Sequence, residues 1–340
     1  MDWGLPWPGP EVAADAEKAG ASAFCAGEFA ERNSYLTTGE MVAATTSAMV
    51  GPGIAYAFAR SPFVHASALR HLHAKAPGRI FLGLGSGTFR MNTDWFSVDA
   101  TKPVARMADL VGAIRAYLEA ENGTTVTHDG AHYPVSAAIK APVLGRLEIP
   151  ILIGAFNKLM ARTAGRVADG VLGHGIFTDR WWAETIAPEL ARGAGERGRD
   201  ATELRRWGWL ITAIDEDDPA RARRDARLQI AFYLTVRTYD TLVELHGWQE
   251  PVAAVRTAFA AGDIEAMAAA VTDDMLDAIA LCGTREEARQ RLAARQALPG
   301  LAFLSSPGFM VGGRRRERYA AAAVELMRSL DSSTSASAPR

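Results

Sequence analysis

The stretch Pro150-Ile-Leu-Ile-Gly-Ala-Phe-Asn-Lys-Leu-Met160, continued by Ala161-Arg-Thr-Ala-Gly-Arg-Val-Ala-Asp-Gly-Val171, carries the fold in miniature. A short apolar run ends in glycine, a polar turn follows at Asn157, and a run with helical spacing comes next. Ala-Asp-Gly then leads into another apolar run at Gly170–His174. Strand, turn and amphipathic helix make one βα unit. The same beat recurs in both directions along the chain. Strands are expected at Trp3–Leu5, Ser22–Ala26, Val50–Tyr56, Arg79–Leu84, Pro150–Gly154, Gly170–His174, Trp207–Ile214 and Leu301–Ser305. Helices are expected at Glu11–Ala19, Pro62–Lys75, Lys102–Glu119, Lys158–Ala168, Arg180–Arg197 and Arg285–Gln296. Alternating units of this kind in 340 residues fit an α/β fold, a (β/α)8 TIM barrel, with an open doubly wound sheet as the alternative.

Three stretches depart from the beat. Thr124–Pro134 is expected as a small hairpin turning at His-Asp-Gly, because Asp-Gly suits a primed turn. Thr235–Leu281 is long, largely helical and placed between the seventh and eighth strands. Insertions on a barrel's βα loops lie at its catalytic face, so residues 235–281 are expected to roof the pocket as a lid. The tail 331–340 is rich in Ser, Ala and Thr without apolar period and is expected to be disordered, leaving 1–330 as a single domain. The last helix opens on Gly312-Gly-Arg-Arg-Arg-Glu-Arg318, either a solvated basic face or a seat for an anionic cofactor tail.

With 49% hydrophobic and 22% charged residues the composition is that of a globular protein with a sizeable core. No apolar run approaches the roughly 18 residues needed to cross a bilayer. The first twenty residues carry Asp2, Glu11, Asp15 and Glu17 and lack a secretory pattern, so the cytoplasm is the expected location. A net charge of -2 argues against nucleic acid or an anionic membrane as the partner and favours a small molecule. Cys25 and Cys282 are too few for a disulfide framework and are expected as buried thiols.

Several residues could carry chemistry. Phe81-Leu-Gly-Leu-Gly-Ser-Gly-Thr88 ends a strand in spaced glycines, where backbone can approach a ligand or simply make a turn. Asn157–Leu159 opens a helix whose amides, with Lys158, suit an anion; Asn157 is equally well explained as an N-cap. His174, between two glycines at the end of the sixth strand, could meet a cofactor, donate a proton or only wall a pocket. Trp7, Phe29, Tyr56, Phe156 and Trp181 fall at strand ends, where aromatics make walls for a flat ring or pack the rim. His65, His71 and His73 are expected as packing or surface residues. His128 and His132 lack partners at ligand spacing, so no metal site is expected.

Four of these pieces together resemble the luciferase-like family of flavin and deazaflavin oxidoreductases, above all its methylenetetrahydromethanopterin-reductase branch. They are Arg32-Asn33-Ser34-Tyr35; Gly51-Pro-Gly-Ile54 with Arg60-Ser-Pro62; Gly83-Leu-Gly-Ser-Gly87; and Ala155-Phe-Asn-Lys-Leu-Met160 with Ala168-Asp-Gly170. The resemblance implies a non-prolyl cis peptide behind the ring, matching Gly53–Ile54, with Ala55 following. It also implies that cofactor is held by Gly85, Ser86, Gly87 and Thr88 and by Gly154, Ala155, Phe156, Asn157 and Lys158. The substrate would face Trp7, Phe29, Asn33, Tyr56 and Trp181. Two acids kept by that branch are replaced here by Pro6 and Thr88, and Glu28 is followed by Phe29 where many relatives have His. Glu28 and His174 are therefore the candidate catalytic groups, Glu28 also being explicable as a structural acid at the rim. The implied activity is hydride transfer between coenzyme F420 and a small apolar substrate, in a homodimer. A monooxygenase using flavin mononucleotide (FMN), or a cofactor-binding protein with reduced catalysis, are the alternatives.

Overall fold

The computed structural model describes residues 1–140 and 145–335. Among the described residues there are twelve strands: β1 Asp2–Pro6, β2 Ala21–Ala26, β3 Met49–Pro52, β4 Ala55–Tyr56, β5 Leu82–Gly85, β6 Thr125–His128, β7 Val135–Ala138, β8 Ile151–Gly154, β9 Gly170–Gly173, β10 Arg205–Ile214, β11 Ala280–Gly283 and β12 Leu301–Ser305. All eight expected runs contain a strand. The chain divides into two compact units, one of Met1–Ser22, Gly173–Thr185 and Trp207 onward, the other of Ala23–Leu172 and Ile186–Arg206.

In the second unit every ladder but the hairpin is parallel. β2 pairs β3 from Ala23↔Met49 to Ala26↔Pro52, β4 pairs β5, β5 pairs β8, and β8 pairs β9. Ile151, Leu152, Ile153, Leu82 and Leu84 are all fully buried, as expected of parallel strands covered on both faces. The expected third strand is broken in two. Gly53–Ile54 lies between β3 and β4 and is a cis peptide, and the Gly53 N–H donates to the Ala26 carbonyl at 2.8 Å.

In the first unit β1 pairs β12 and β12 pairs β10, again parallel. Within this unit β10 runs beside two strands, Trp207–Ile211 along Leu301–Ser305 and Ile211–Ile214 along Ala280–Gly283. The segment 235–281 is helical at Asp240–His246, Gln249–Ala261, Ile264–Ala270 and Asp273–Ile279, but its end is β11. Asp273–Ile279 runs straight into this short strand, so its apolar residues continue the helical pattern without a break.

Other expectations need correcting. The hairpin pairs His128 with Val135, so its loop is 129–134 and not a tight His-Asp-Gly turn. That loop wraps the Asp109 carboxylate, which accepts from the His132 and Tyr133 N–H groups and pairs with His128 Nε2 at 2.6 Å. The basic start of the last helix keeps a solvated face, with Arg314, Arg316 and Arg318 exposed, but part of it is paired: Arg315 with the fully buried Asp225, and Arg318 with Asp215 and Asp217. That helix runs Gly313–Ser335, so 331–335 are helical, because extending a formed helix costs little; 336–340 lie outside the described residues. Cys25 and Cys282 are buried free thiols. Among the described residues no helix is long and apolar enough to cross a membrane.

Candidate functional site

Three segments separated by up to a hundred residues meet over one side chain, that of Ile54. Tyr56 pairs Gly85 and Leu84 pairs Ile153 in adjacent ladders, which sets Gly85 and Gly154 side by side. A Cβ added at Gly85 would fall 2.6 Å from Ile54 Cδ1 and 2.7 Å from its Cγ1. A Cβ at Gly154 would fall 3.4 Å from Ile54 Cγ2 and 3.8 Å from Gly85 Cα. Gly85 is therefore a packing necessity, its missing side chain replaced by Ile54.

Beyond Gly85 the polypeptide becomes polar and accessible. Ser86 and Gly87 are half-buried and Thr88 exposed, and the turn is pinned from below by Asn92, 1% exposed. Asn92 Nδ2 donates to the Ser86 and Thr88 carbonyls, both at 2.8 Å. Asn92 escaped the sequence reading because its role is defined by two backbone oxygens and by no motif. Next to this turn, Asn157 caps the helix Lys158–Val167 by accepting the Met160 N–H at 3.0 Å. The capping role and the anion role are compatible, since the N–H groups of Lys158 and Leu159 have no intrahelical acceptor and both residues are exposed. Ala155 is buried and Phe156 half-buried.

Glu28 sits under a different constraint. Its carboxylate takes a two-pronged contact from the Arg60 guanidinium, one prong at 2.8 Å, and accepts the Tyr56 N–H at 2.9 Å. Side-chain exposures of 8% for Glu28 and 16% for Arg60 make this a half-sheltered ion pair, and Glu28 is the main reason the Arg60 proton is held more tightly than usual. Arg60 lies over the Tyr35 ring, whose hydroxyl meets His65 Nδ1 at 2.6 Å. His65 Nε2 is 3.0 Å from the Ala57 carbonyl, which can only accept, so Nε2 carries the hydrogen and Nδ1 accepts from Tyr35. Burial pushes His65 down to about 4 and keeps it neutral. The acid–base candidate is thus tied into a network that begins at Arg60, a residue the sequence offered only as part of a motif.

Glu28, Phe29, Ala30, Tyr56, Ala59, Arg60, Trp95 and Phe96 line a cavity of about 380 Å3. Phe29, 54% exposed, meets Trp95 edge-on at 5.8 Å, and Tyr56 lies 4.9 Å from Phe96. Two of the expected pocket aromatics, Phe29 and Tyr56, converge here, joined by Trp95 and Phe96. Asn33 instead caps the helix Ser34–Ala44, accepting from the Tyr35 and Leu36 N–H groups.

The other candidates belong to the first unit. His174 lies just past β9, its ring 4.4 Å from Tyr233 and 5.1 Å from Tyr239, with Nε2 3.2 Å from the Tyr239 hydroxyl. Desolvation pushes its imidazole down to about 4. Trp181 is 3% exposed and packs against Phe177 at 6.4 Å. Trp7 follows β1 and is half-buried.

Parallel strands alternating with helices define an α/β protein of the (β/α)8-barrel class. The chain matches the luciferase-like monooxygenase family over residues 9–301 and belongs to it, a family of oxidoreductases. It is 31% identical over 263 residues to 5,10-methylenetetrahydromethanopterin reductase of Methanolobus tindarius, covering 77% of this chain and 78% of that one. The coenzyme F420-dependent tetrahydromethanopterin reductase of Methanopyrus kandleri has the same fold, with a TM-score of 0.75 at 23% identity over 96% of both chains. So does the oxygenating constituent of 3,6-diketocamphane monooxygenase from Pseudomonas putida, solved with FMN, with a TM-score of 0.65 at 14% identity over 97% of this chain and 98% of that one.

Proposed function

We propose that this protein is an F420-dependent oxidoreductase that moves a hydride between the deazaflavin and a small, fairly apolar organic substrate. The observation that carries the proposal is the meeting at Ile54 of Gly85 and Gly154, which brings together the segments Gly53–Ala55, Gly85–Thr88 and Gly154–Lys158 that the resemblance assigns to the cofactor. These residues fit a ring with an anionic tail: an apolar shelf at Ile54, a turn of accessible backbone held by Asn92, and a helix start with Lys158 beside it. When bound, the deazaflavin supplies or receives the hydride.

The chain's own residues do the rest. Ser86, Gly87 and Thr88 present backbone to the cofactor, and the Lys158 and Leu159 amides with the Lys158 ammonium neutralise its phosphate. Glu28, fixed by Arg60 and the Tyr56 N–H, holds the aromatic wall in place, and any proton transfer by it requires the Arg60 pair to open first. His174, neutral near pH 7, keeps the capacity to give or take a proton. We place the working protein in the cytoplasm as a homodimer of single-domain chains.

The test is anaerobic turnover of reduced F420 with a panel of carbonyl and activated-alkene acceptors. The proposal expects cofactor oxidation that depends on acceptor and enzyme and does not need oxygen. Oxidation that requires oxygen and inserts it into the product would replace this proposal with the FMN-type monooxygenase reaction.

A further inference from the structure

The cavity beside Tyr56 lies wholly within the second unit, and its lining restricts what can enter it. Phe29 is 54% and Trp95 57% exposed, yet the two rings meet edge-on at 5.8 Å. Single exposed apolar side chains are ordinary, but a touching pair on the wall of one cavity marks a binding surface.

Neither ring hangs on loose chain. Phe29 and Arg32 exchange two backbone hydrogen bonds, both at 3.0 Å, which close a tight turn just past β2. Trp95 ends a wide helical turn, Met91–Trp95, in which the Phe96 N–H reaches back five residues to the Met91 carbonyl at 3.1 Å. Turns of this wide type are frequent at functional sites. The same turn contains Asn92, which holds the Ser86 and Thr88 carbonyls, so the aromatic wall and the proposed cofactor turn share an anchor. Tyr56 joins them a second time. A Cβ added at Gly87 would fall 3.5 Å from Tyr56 Cδ1, and the Tyr56 ring lies 4.9 Å from Phe96.

The charges select against ions. Glu28 and Arg60 carry the only charges among the described lining residues, and they neutralise each other through their two-pronged contact. An entering anion has to take Arg60 from Glu28, and a cation has to take Glu28 from Arg60. Either exchange leaves one member of a sheltered pair uncompensated, which is costly. An uncharged molecule leaves the pair closed.

Size and wall chemistry narrow the choice further. The volume of about 380 Å3 exceeds the roughly 150 Å3 of an apolar cavity that holds benzene, so a substituted ring or two rings fit. Against four aromatic side chains, an aromatic guest gains edge-to-face and offset-stacked contacts beyond the area it buries. Each good contact is worth about two- to tenfold in affinity, and an aliphatic ring of the same size gains the area alone.

We propose that this cavity is the acceptor subsite and that it selects an uncharged molecule with an aromatic ring, seated against Phe29 and Trp95. The role of acceptor rests on the F420-dependent reading, whereas the preference for an uncharged aromatic ring comes from the cavity itself.

The experiment is calorimetric titration of the full chain with acetophenone, cyclohexyl methyl ketone and benzoate at constant ionic strength. Acetophenone is expected to bind saturably at roughly millimolar concentration or below, at least about threefold more tightly than the aliphatic ketone and about tenfold more tightly than benzoate. In Phe29→Leu/Trp95→Leu, two exposed positions, the preference for the aromatic ketone should vanish. Ala59→Phe, at an exposed wall position, should weaken both ketones about tenfold or more by filling the cavity. No saturable binding of acetophenone, equally tight binding of benzoate, or a preference that survives in the double variant would each overturn the proposal. F420 titration of the same unsubstituted protein keeps the two readings apart: F420 binding without acetophenone binding removes the subsite and leaves the oxidoreductase, and the reverse result removes the oxidoreductase and leaves the subsite's selectivity.

Discussion

The contact between Gly85 and Ile54 can be broken from either side and then restored. In Gly85→Ala the new methyl would sit 2.6 Å from Ile54 Cδ1 and 2.7 Å from Cγ1, far inside contact distance. Ile54 is partly exposed and has to shift to admit the methyl, so overpacking should cost about 1–3 kcal/mol and F420 affinity should fall. Ile54→Ala alone loses packing worth about 1–2 kcal/mol at a half-exposed site. In the double variant both offending atoms are gone, and only the Ile54 Cβ contact remains, at 3.3 Å. The double variant should therefore be more stable than the sum of the singles by about 1 kcal/mol or more. Urea unfolding of the four proteins gives the coupling energy directly, and F420 titration of the same samples reports on the shelf. Strict additivity would refute the claim that Gly85 exists to admit Ile54.

Further outcomes follow from the same geometry. Glu28→Gln keeps an acceptor for the Tyr56 N–H but strands Arg60, so it should cost about 2–3 kcal/mol in urea unfolding, partly recovered in Glu28→Gln/Arg60→Gln. His65 is held near 4, below its ordinary 6.5, so the unfolded chain takes the proton first as pH falls. Its stabilisation is complete above pH 6.5 and is lost between 6.5 and 4, about 2 kcal/mol of it by pH 5, so His65→Gln should flatten the pH dependence of the urea midpoint by that amount. Gly193→Ala would drive a methyl to 1.9 Å from the Arg162 carbonyl where two helices meet, and should cost about 3 kcal/mol in unfolding without changing cofactor stoichiometry.

How far the sequence carried depended on the range of the interaction involved. Ile151–Gly154 with the helix Lys158–Val167 declares itself locally, because a buried parallel strand must be apolar and a helix start must be capped. The division of the third strand at Gly53–Ile54 was open to reading only through the family resemblance. β11 stayed hidden because Ala280–Gly283 is four residues long and fused to a helix with the same apolar character. Glu28 stood open between a catalytic group and a structural acid at the rim until Arg60, thirty-two residues on, was brought beside it. Asn33 looked like a pocket residue because nothing in Arg32–Tyr35 announces the helix it caps.

The central claim is that the cradle around Ile54 is built for a deazaflavin. Fluorescence titration of the purified protein with oxidised F420 and separately with FMN tests it most directly. Saturation by F420 in the micromolar range, with FMN at least about tenfold weaker, is the expected result. Tighter binding of FMN, or no binding of either at roughly 100 μM, would contradict it.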